Sequence, residues 1–344
     1  MPEPDLPVVT QRTIEANGLR FRVAEAGAGP LALLLHGFPE SWYSWRHQLT
    51  ALAGAGYRAA APDMRGYGAS DAPPDVADYD IEHLVGDAAG LVEALGEQQA
   101  VVVGHDWGAI IAWQCALLRP DRFRAVAGLS VPYTGRPPVR PLETWKRRFG
   151  ENFFYILYFQ PPGVAEAEFD PDPRRILRRL YRSPGSEAAA PPAITDPKMS
   201  AGGWAGRMPE PKALPPWLSE ADLDYYVEQF RRSGFRGPLS YYRNFDRNWE
   251  LTPQLAGAKV EQPAMFLAGE HDAVIVRGGI MGAGDDLEER MREAVPGLRA
   301  ITLVPGAGHW VQQERPHEVN AALIDFLRSL DHDARAAGTG RRAV

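Results

Sequence analysis

Residues 101–110, VVVGHDWGAI, read as a buried strand, a sharp turn and the start of a helix. The turn has the spacing Gly-x-nucleophile-x-Gly, with Gly104 and Gly108 flanking Asp106. That spacing more often presents a serine hydroxyl, and a carboxylate in its place suits a different reaction. A serine that attacks a saturated carbon leaves an ether, which water does not readily cleave. A carboxylate leaves an ester, which a base-activated water can hydrolyse. Asp106 stands at a helix N-terminus, where the dipole favours an anion, so it is expected to be ionised at neutral pH. The flanking glycines let strand and helix approach, and the nucleophile between them is expected in a strained backbone conformation.

Three further segments sit just after apolar runs. HGFP (36–39) follows 31–35, Asp272 follows 264–268, and His309 follows 300–304. In an open parallel sheet, ligands bind outside the carboxyl ends of the strands. The chain order nucleophile, acid, histidine is that of the α/β-hydrolase fold. Each residue alone reads as a turn residue; their agreement in position and order argues for a site. In this reading His309, oriented by Asp272, activates water. The backbone N–H groups of Phe38 and Trp107 form an oxyanion hole, and Phe38–Pro39 is a candidate cis bond. His36, His105 and His271 make no convincing metal set and suit polar-network roles, so no metal and no organic cofactor is expected.

The elements that must hold these residues follow an α/β rhythm. Asn17-Gly18 between patterned segments at 8–15 and 19–25 signals a hairpin. Apolar runs at 31–35, 58–61, 100–103, 125–129, 264–268 and 300–304 alternate with helical patterns at 81–95, 109–118 and 316–330. This predicts a mostly parallel sheet of about eight strands with helices on both faces. Between 134 and 250 the rhythm stops. Helical pieces at 142–158, 173–182 and 219–232, with a loose stretch at 184–216, suggest a mostly helical cap inserted into a core made of 1–133 and 251–330. Residues 331–344 read as a flexible tail. PRRILRRLYR (173–182) has the pattern of a basic membrane-surface helix. The favoured alternative packs Ile176, Leu177 and Leu180 inward and leaves the arginines solvated.

Composition excludes several classes. With 344 residues, 45% of them apolar, the chain can bury a sizeable core. The net charge is -7 with dispersed basic residues, which leaves no stripe for nucleic acid. The single cysteine, Cys115, lies in the apolar helix after the turn and reads as packing rather than a reactive thiol. No signal peptide is evident, and no apolar run approaches the ~20 residues of a membrane span. A soluble cytoplasmic monomer or homodimer is expected.

The segments HGFPESWYSWRHQ (36–48), DMRGYGASDAP (63–73), GHDWGA (104–109), YILYFQPPGVAEAEF (155–169), PLSYYRNFDRNWE (238–250) and GHWVQQERPHE (308–318) resemble the soluble epoxide hydrolases. The resemblance spans roughly residues 10–330 and implies an α/β-hydrolase fold with an epoxide and water as substrates. It implies that two cap tyrosines hold the epoxide oxygen: Tyr155, which opens Tyr-x-x-Tyr-Phe-Gln, and Tyr242, which precedes Arg-Asn. Tyr158 and Tyr241 are the neighbours that compete for those roles; without the resemblance all these rings would read as packing. Tyrosine suits the task, since a pKa near ~10 keeps it protonated at pH 7 yet able to protonate an alkoxide. The Gly-rich loop 273–298 departs from the family pattern. The chain begins directly with the hydrolase core, so the separate phosphatase domain of some animal members is expected to be absent. Two rivals share the architecture. A haloalkane dehalogenase also uses an aspartate elbow, with Trp107 as half of a halide clamp, but needs no tyrosine pair. A non-catalytic ligand receptor does not need Asp106, Asp272 and His309 together.

Overall fold

Asn17 and Gly18 both take positive φ (48° and 76°) and close a tight turn between β1 (Thr10–Ala16) and β2 (Leu19–Ala26). Asn-Gly is the pair that tolerates this geometry. The computed structural model describes residues 7–184, 197–276 and 286–340. Six further strands follow: β3 (Leu31–Leu35), β4 (Arg58–Pro62), β5 (Ala100–His105), β6 (Phe123–Leu129), β7 (Ala264–Gly269) and β8 (Leu298–Val304). They form one eight-stranded sheet in the order β1-β2-β4-β3-β5-β6-β7-β8. The β1–β2 and β2–β4 pairs are antiparallel and the other five are parallel. The expected α/β-hydrolase sheet is therefore present, with every strand near its predicted position.

Strand β5 lies in the middle, between β3 and β6, and is buried along its whole length. Its side chains alternate between two layers, as the pleat requires. Val102 packs with α2 (Ile81–Ala94) and α3 (Trp107–Leu118), whereas Val101 and Val103 pack with α1 (Arg46–Gly54) and the C-terminal helix. Apolar matter on both faces explains why these strands read as continuous apolar runs. Cys115 is fully buried in α3, where burial raises its thiol pKa out of the reactive range.

Between β6 and β7 the described residues form helices: α4 (Pro141–Phe149), α5 (Tyr155–Tyr158), α6 (Val164–Phe169), α7 (Pro173–Leu180), α8 (Glu220–Ser233), α9 (Arg236–Arg243) and α10 (Phe245–Leu251). The single helical piece expected over 142–158 is broken in two. Gly150 takes φ 58° and caps α4, and the chain runs extended through Phe154 before α5 begins. Within 184–216, two 3₁₀ turns form at Met199–Ala201 and Ala205–Arg207; residues 185–196 lie outside the described residues.

The α7 segment differs from its expected form. Ile176 and Leu177 are buried and Leu180 is half-buried, but the arginines are not simply solvated. Arg174 pairs with Glu220 at 3.0 Å and with Asp224, while Arg179 is itself buried and pairs with Glu210 at 2.7 Å. The acidic partners on α8 and on the 205–210 turn were not visible as neighbours in the one-dimensional pattern.

After β7 come α11 (Leu287–Ala294), α12 (Val311–Glu314) and α13 (Pro316–Gly340). The last helix continues well past Leu330, so most of the expected flexible tail is helical. Ala and Arg are good helix formers, and Asp331 accepts a hydrogen bond from Tyr57 at 2.7 Å while Asp333 pairs with Arg299. Residues 341–344 lie outside the described residues. Among the described residues, no helix is long and apolar enough to cross a membrane.

Candidate active site

Asp106 occupies the turn from β5 into α3 at φ 53°, ψ -118°, a region side-chain-bearing residues rarely adopt. The glycines explain how the turn fits. A Cβ on Gly104 would lie 2.0 Å from the Gly108 carbonyl oxygen, and one on Gly108 would lie 1.9 Å from that of Leu35. Neither position admits a side chain, so strand, turn and helix close on each other and the carboxylate is held out at the sheet's carboxyl edge.

The 36–39 loop, leaving β3 next door, reaches that carboxylate. The backbone N–H of Phe38 donates to Asp106 Oδ1 at 2.8 Å, and Phe38–Pro39 is cis. Trp107 is the first residue of α3, so its N–H is one of the orphan donors of a helix N-terminus and no helix carbonyl takes it. The other carboxylate oxygen, Oδ2, lies 3.6 Å from His309 Nε2.

His309 follows β8, and its Nδ1 lies 3.0 Å from both oxygens of Asp272, which follows β7. Burial disfavours a charged imidazole here, but the carboxylates of Asp272 and Asp106 outweigh it and hold the His309 pKa well above its ordinary value. Asp272 is wholly buried. That burial opposes its charge, yet His309 and the Val274 N–H, 2.9 Å from Oδ1, keep its pKa below the usual carboxylate range. The structure thus brings Asp106, His309 and Asp272 into one line.

Tyr155 at the start of α5 and Tyr242 in α9 meet above the elbow. Their ring centroids are 5.9 Å apart, and Tyr242 packs edge-on against Trp107 and Phe38 at 5.2 and 5.3 Å. Burial, and secondarily the negative Asp106, push both phenol pKa values far up, so both remain O–H donors. The competing tyrosines are engaged elsewhere. Tyr158 donates to Glu168 at 2.9 Å, and Tyr241 donates to the Arg65 carbonyl at 2.9 Å.

A cavity of about 500 Å³ lies to the side, lined by Ile110, Trp113, Tyr133, Trp145, Phe245 and Trp249 among others. Asp106, His309 and the two tyrosines do not line it, but Phe245 does, and its ring centroid is 4.8 Å from that of Trp107.

The α/β-hydrolase fold family matches residues 30–316. Epoxide hydrolase A of Mycobacterium tuberculosis is 48% identical over 94% of this chain and 98% of the relative. Epoxide hydrolase 3 of Siraitia grosvenorii is 43% identical over 92% of this chain and 98% of the relative. The chain belongs to the epoxide hydrolase family. The crystal structure of epoxide hydrolase A from Mycobacterium thermoresistibile superposes with a TM-score of 0.85 at 51% identity, over 93% of this chain and 98% of that one.

In this member of the family, a buried glutamate outside the expected site residues ties two of the site loops together. Glu40 is wholly buried. Its Oε2 accepts from the Gly37 N–H at 3.0 Å and lies 2.8 Å from His105 Nδ1, while its Oε1 accepts from Gln312 at 2.9 Å. His105 Nε2 lies 2.7 Å from the His309 carbonyl oxygen, which also accepts from Ser130 at 2.9 Å. Both nitrogens of His105 therefore face acceptors. Burial works against a charged Glu40, but His105 and the Gly37 N–H bring its pKa down to about 2. This chain of contacts ties the Phe38 loop to the His309 loop beneath Asp106. His105 holds the polar-network place expected for it. The sequence signal for Glu40 is its place directly after HGFP, a loop that carries a site donor.

His36 is a separate support: its Nε2 accepts from the Met64 N–H at 3.0 Å, and burial brings its pKa down to about 4. His271 sits on the surface beside Glu270, 3.9 Å away. The 273–298 segment, expected as a loop, instead carries α11 (Leu287–Ala294) and the first residue of β8, and residues 277–285 lie outside the described residues.

Proposed function

We propose that this chain hydrolyses epoxides to vicinal diols through a covalent ester on Asp106. The observation that carries the reading is the division of labour on one carboxylate: Oδ1 is held by the Phe38 N–H at 2.8 Å, and Oδ2 lies 3.6 Å from His309, beneath two neutral tyrosines. Oδ2 attacks an epoxide carbon, the carbon–oxygen bond breaks, and the alkoxide takes a proton from Tyr155 or Tyr242. Asp106 then carries no charge. One of the two anions that raise the His309 pKa is lost, so His309 releases its proton, which replaces the one the tyrosine gave up. The neutral imidazole, held by Asp272, next takes a proton from water as hydroxide adds to the Asp106 carbonyl carbon. The Phe38 N–H, with that of Trp107, steadies the resulting oxyanion. Collapse releases the diol and returns Asp106 ionised beside a protonated His309, so charges and protons balance over the cycle.

In this reading residues 134–250 act as a cap over a core of 1–133 and 251–330, and the cap supplies the tyrosines that separate an epoxide hydrolase from a haloalkane dehalogenase. No step calls for a metal or organic cofactor. The test is a paired panel of epoxides, from styrene oxide to long-chain epoxides, and chloroalkanes. Diol from an epoxide with an Asp106 adduct in the intact-protein mass supports the reading. Halide release without diol formation, or tight epoxide binding with no turnover, overturns it.

A further inference from the structure

Gln160 closes the turn that begins at Tyr155, and its side-chain nitrogen has two N–H bonds. One goes to the Ile156 carbonyl at 2.8 Å, the other to the Tyr242 carbonyl at 3.0 Å. The first carbonyl belongs to the residue after one site tyrosine, and the second to the other tyrosine itself. Arg243 reaches back the opposite way. Its Nε donates to the Phe159 carbonyl at 2.9 Å, and its Nη2 donates to Glu166 at 2.9 Å. The Arg243 and Glu166 side chains are 3% and 12% exposed, so this ion pair is shielded from solvent. Glu166 also accepts from the Gly163 N–H at 2.9 Å, which anchors it just past Gln160.

Each tyrosine segment has its own attachment as well. α9 is pinned to the core by Tyr241 on the Arg65 carbonyl and Asn244 on the Val76 carbonyl. Phe154, beside Tyr155, stacks on Phe149 at 4.2 Å. Those contacts hold each segment to a different neighbour. The Gln160 amide and the Arg243 guanidinium instead tie the two segments to each other, at Tyr242 and Arg243 on one side and at Phe159 and Gln160, about a turn past Tyr155, on the other. An amide is the chemistry the first link needs: glutamate at 160 would turn acceptors toward two carbonyls, and methionine would offer no donor.

We propose that Gln160, assisted by Arg243, is a positioning residue for ring opening, setting the separation of the Tyr155 and Tyr242 hydroxyls over Asp106. The proposal rests on the reading of Asp106 as nucleophile and the tyrosines as proton donors. Misplacement of a catalytic group by about 1 Å can cost on the order of 10²-fold. Both amide hydrogens of Gln160 are taken by backbone carbonyls, so hydrolysis of the ester has no reason to change.

The test is single-turnover kinetics on wild type, Gln160→Met and Gln160→Glu, each also in a Tyr242→Phe background, following Asp106 ester formation and decay by quenched-flow mass spectrometry. Ester formation is expected to fall by about 10- to 100-fold in both variants, with melting temperature close to wild type and ester decay changed by less than about twofold. In the Tyr242→Phe background the Gln160 changes are expected to cost little more, because one donor leaves no pair to align. The proposal is overturned by any of four results: unchanged ester formation, equal slowing of formation and decay, the same fold loss in both backgrounds, or failure of both variants to fold, which marks Gln160 as purely structural. A wild type that turns over epoxide without any Asp106 ester instead refutes the underlying mechanism, and the proposal with it.

Discussion

The Phe38 N–H donates to Asp106 Oδ1 at 2.8 Å, so the two oxygens of the proposed nucleophile are not equivalent. Oδ1 is already in the place where an oxyanion would be stabilised, and Oδ2 is left to attack. Position 37 must therefore stay bare. A Cβ on Gly37 would lie 2.4 Å from Asp106 Oδ1. Gly37→Ala is expected to fold but to form the Asp106 ester at least about 10²-fold more slowly, the scale of losing one oxyanion-type donor. Wild-type ester formation in that variant would mean Oδ1 needs no such seat.

The tyrosines should act as a pair. Tyr155→Phe and Tyr242→Phe each remove one O–H donor while leaving the ring packing in place. Each is expected to slow ring opening by about 10²–10³-fold, and the double variant should be close to inactive. Tyr158→Phe and Tyr241→Phe, whose hydroxyls serve Glu168 and the Arg65 carbonyl, should leave the ring-opening rate near wild type. A reversal of that pattern in rapid-quench assays would exchange the assignments.

The charge on Asp106 should be readable at His309. Asp272 and Asp106 both raise the His309 pKa against the effect of burial. Asp106→Asn removes one of those charges, as the ester does, so the His309 pKa is expected to fall in that variant. A raised pKa means the ion pair stabilises the fold below the ordinary histidine value of about 6.5, and the effect is lost as pH rises through the elevated folded value. NMR titration of His309 in wild type and Asp106→Asn measures this directly. The same pKa in both would contradict a base released by alkylation.

Glu40 should contribute to stability above its site role. Its folded pKa lies at about 2, below the ordinary 4.5, so its ionised form is favoured in the folded state. That contribution is full above about 4.5 and is lost as pH falls toward about 2. Glu40→Gln is expected to lower unfolding free energy by about 1–3 kcal/mol at pH 7, with the gap to wild type closing in acid. Urea melts across pH check it; a gap that widens in acid contradicts the account of a buried, ionised Glu40.

The sheet was legible because buried parallel strands leave short apolar runs and Asn17-Gly18 marks its turn. Asp106, Asp272 and His309 were legible because each follows such a run. The regions that were not legible depend on contacts remote in sequence. Gly150 ends α4 in a stretch whose apolar spacing continues past it. Arg179 is buried because the 205–210 segment, with Glu210 and the Ala205 and Met208 carbonyls, folds against it. Gln160 reads as an ordinary polar residue until α9 brings the Tyr242 carbonyl within 3.0 Å. Residues 331–340 carry helix formers but no apolar stripe, so the pattern of the preceding turns stopped before the helix did.

The most direct test of the central claim follows the water oxygen. In a single turnover in ¹⁸O-water with enzyme in excess, an Asp106 ester transfers its own Oδ2 to the diol, and the water oxygen stays on the carboxylate. The account predicts mostly unlabelled diol and one ¹⁸O in the peptide that contains Asp106, with label reaching product only in later turnovers. Labelled diol in the first turnover, with Asp106 unlabelled, would mean that water activated by His309 opens the epoxide directly, and would contradict the assignment of Asp106 as nucleophile.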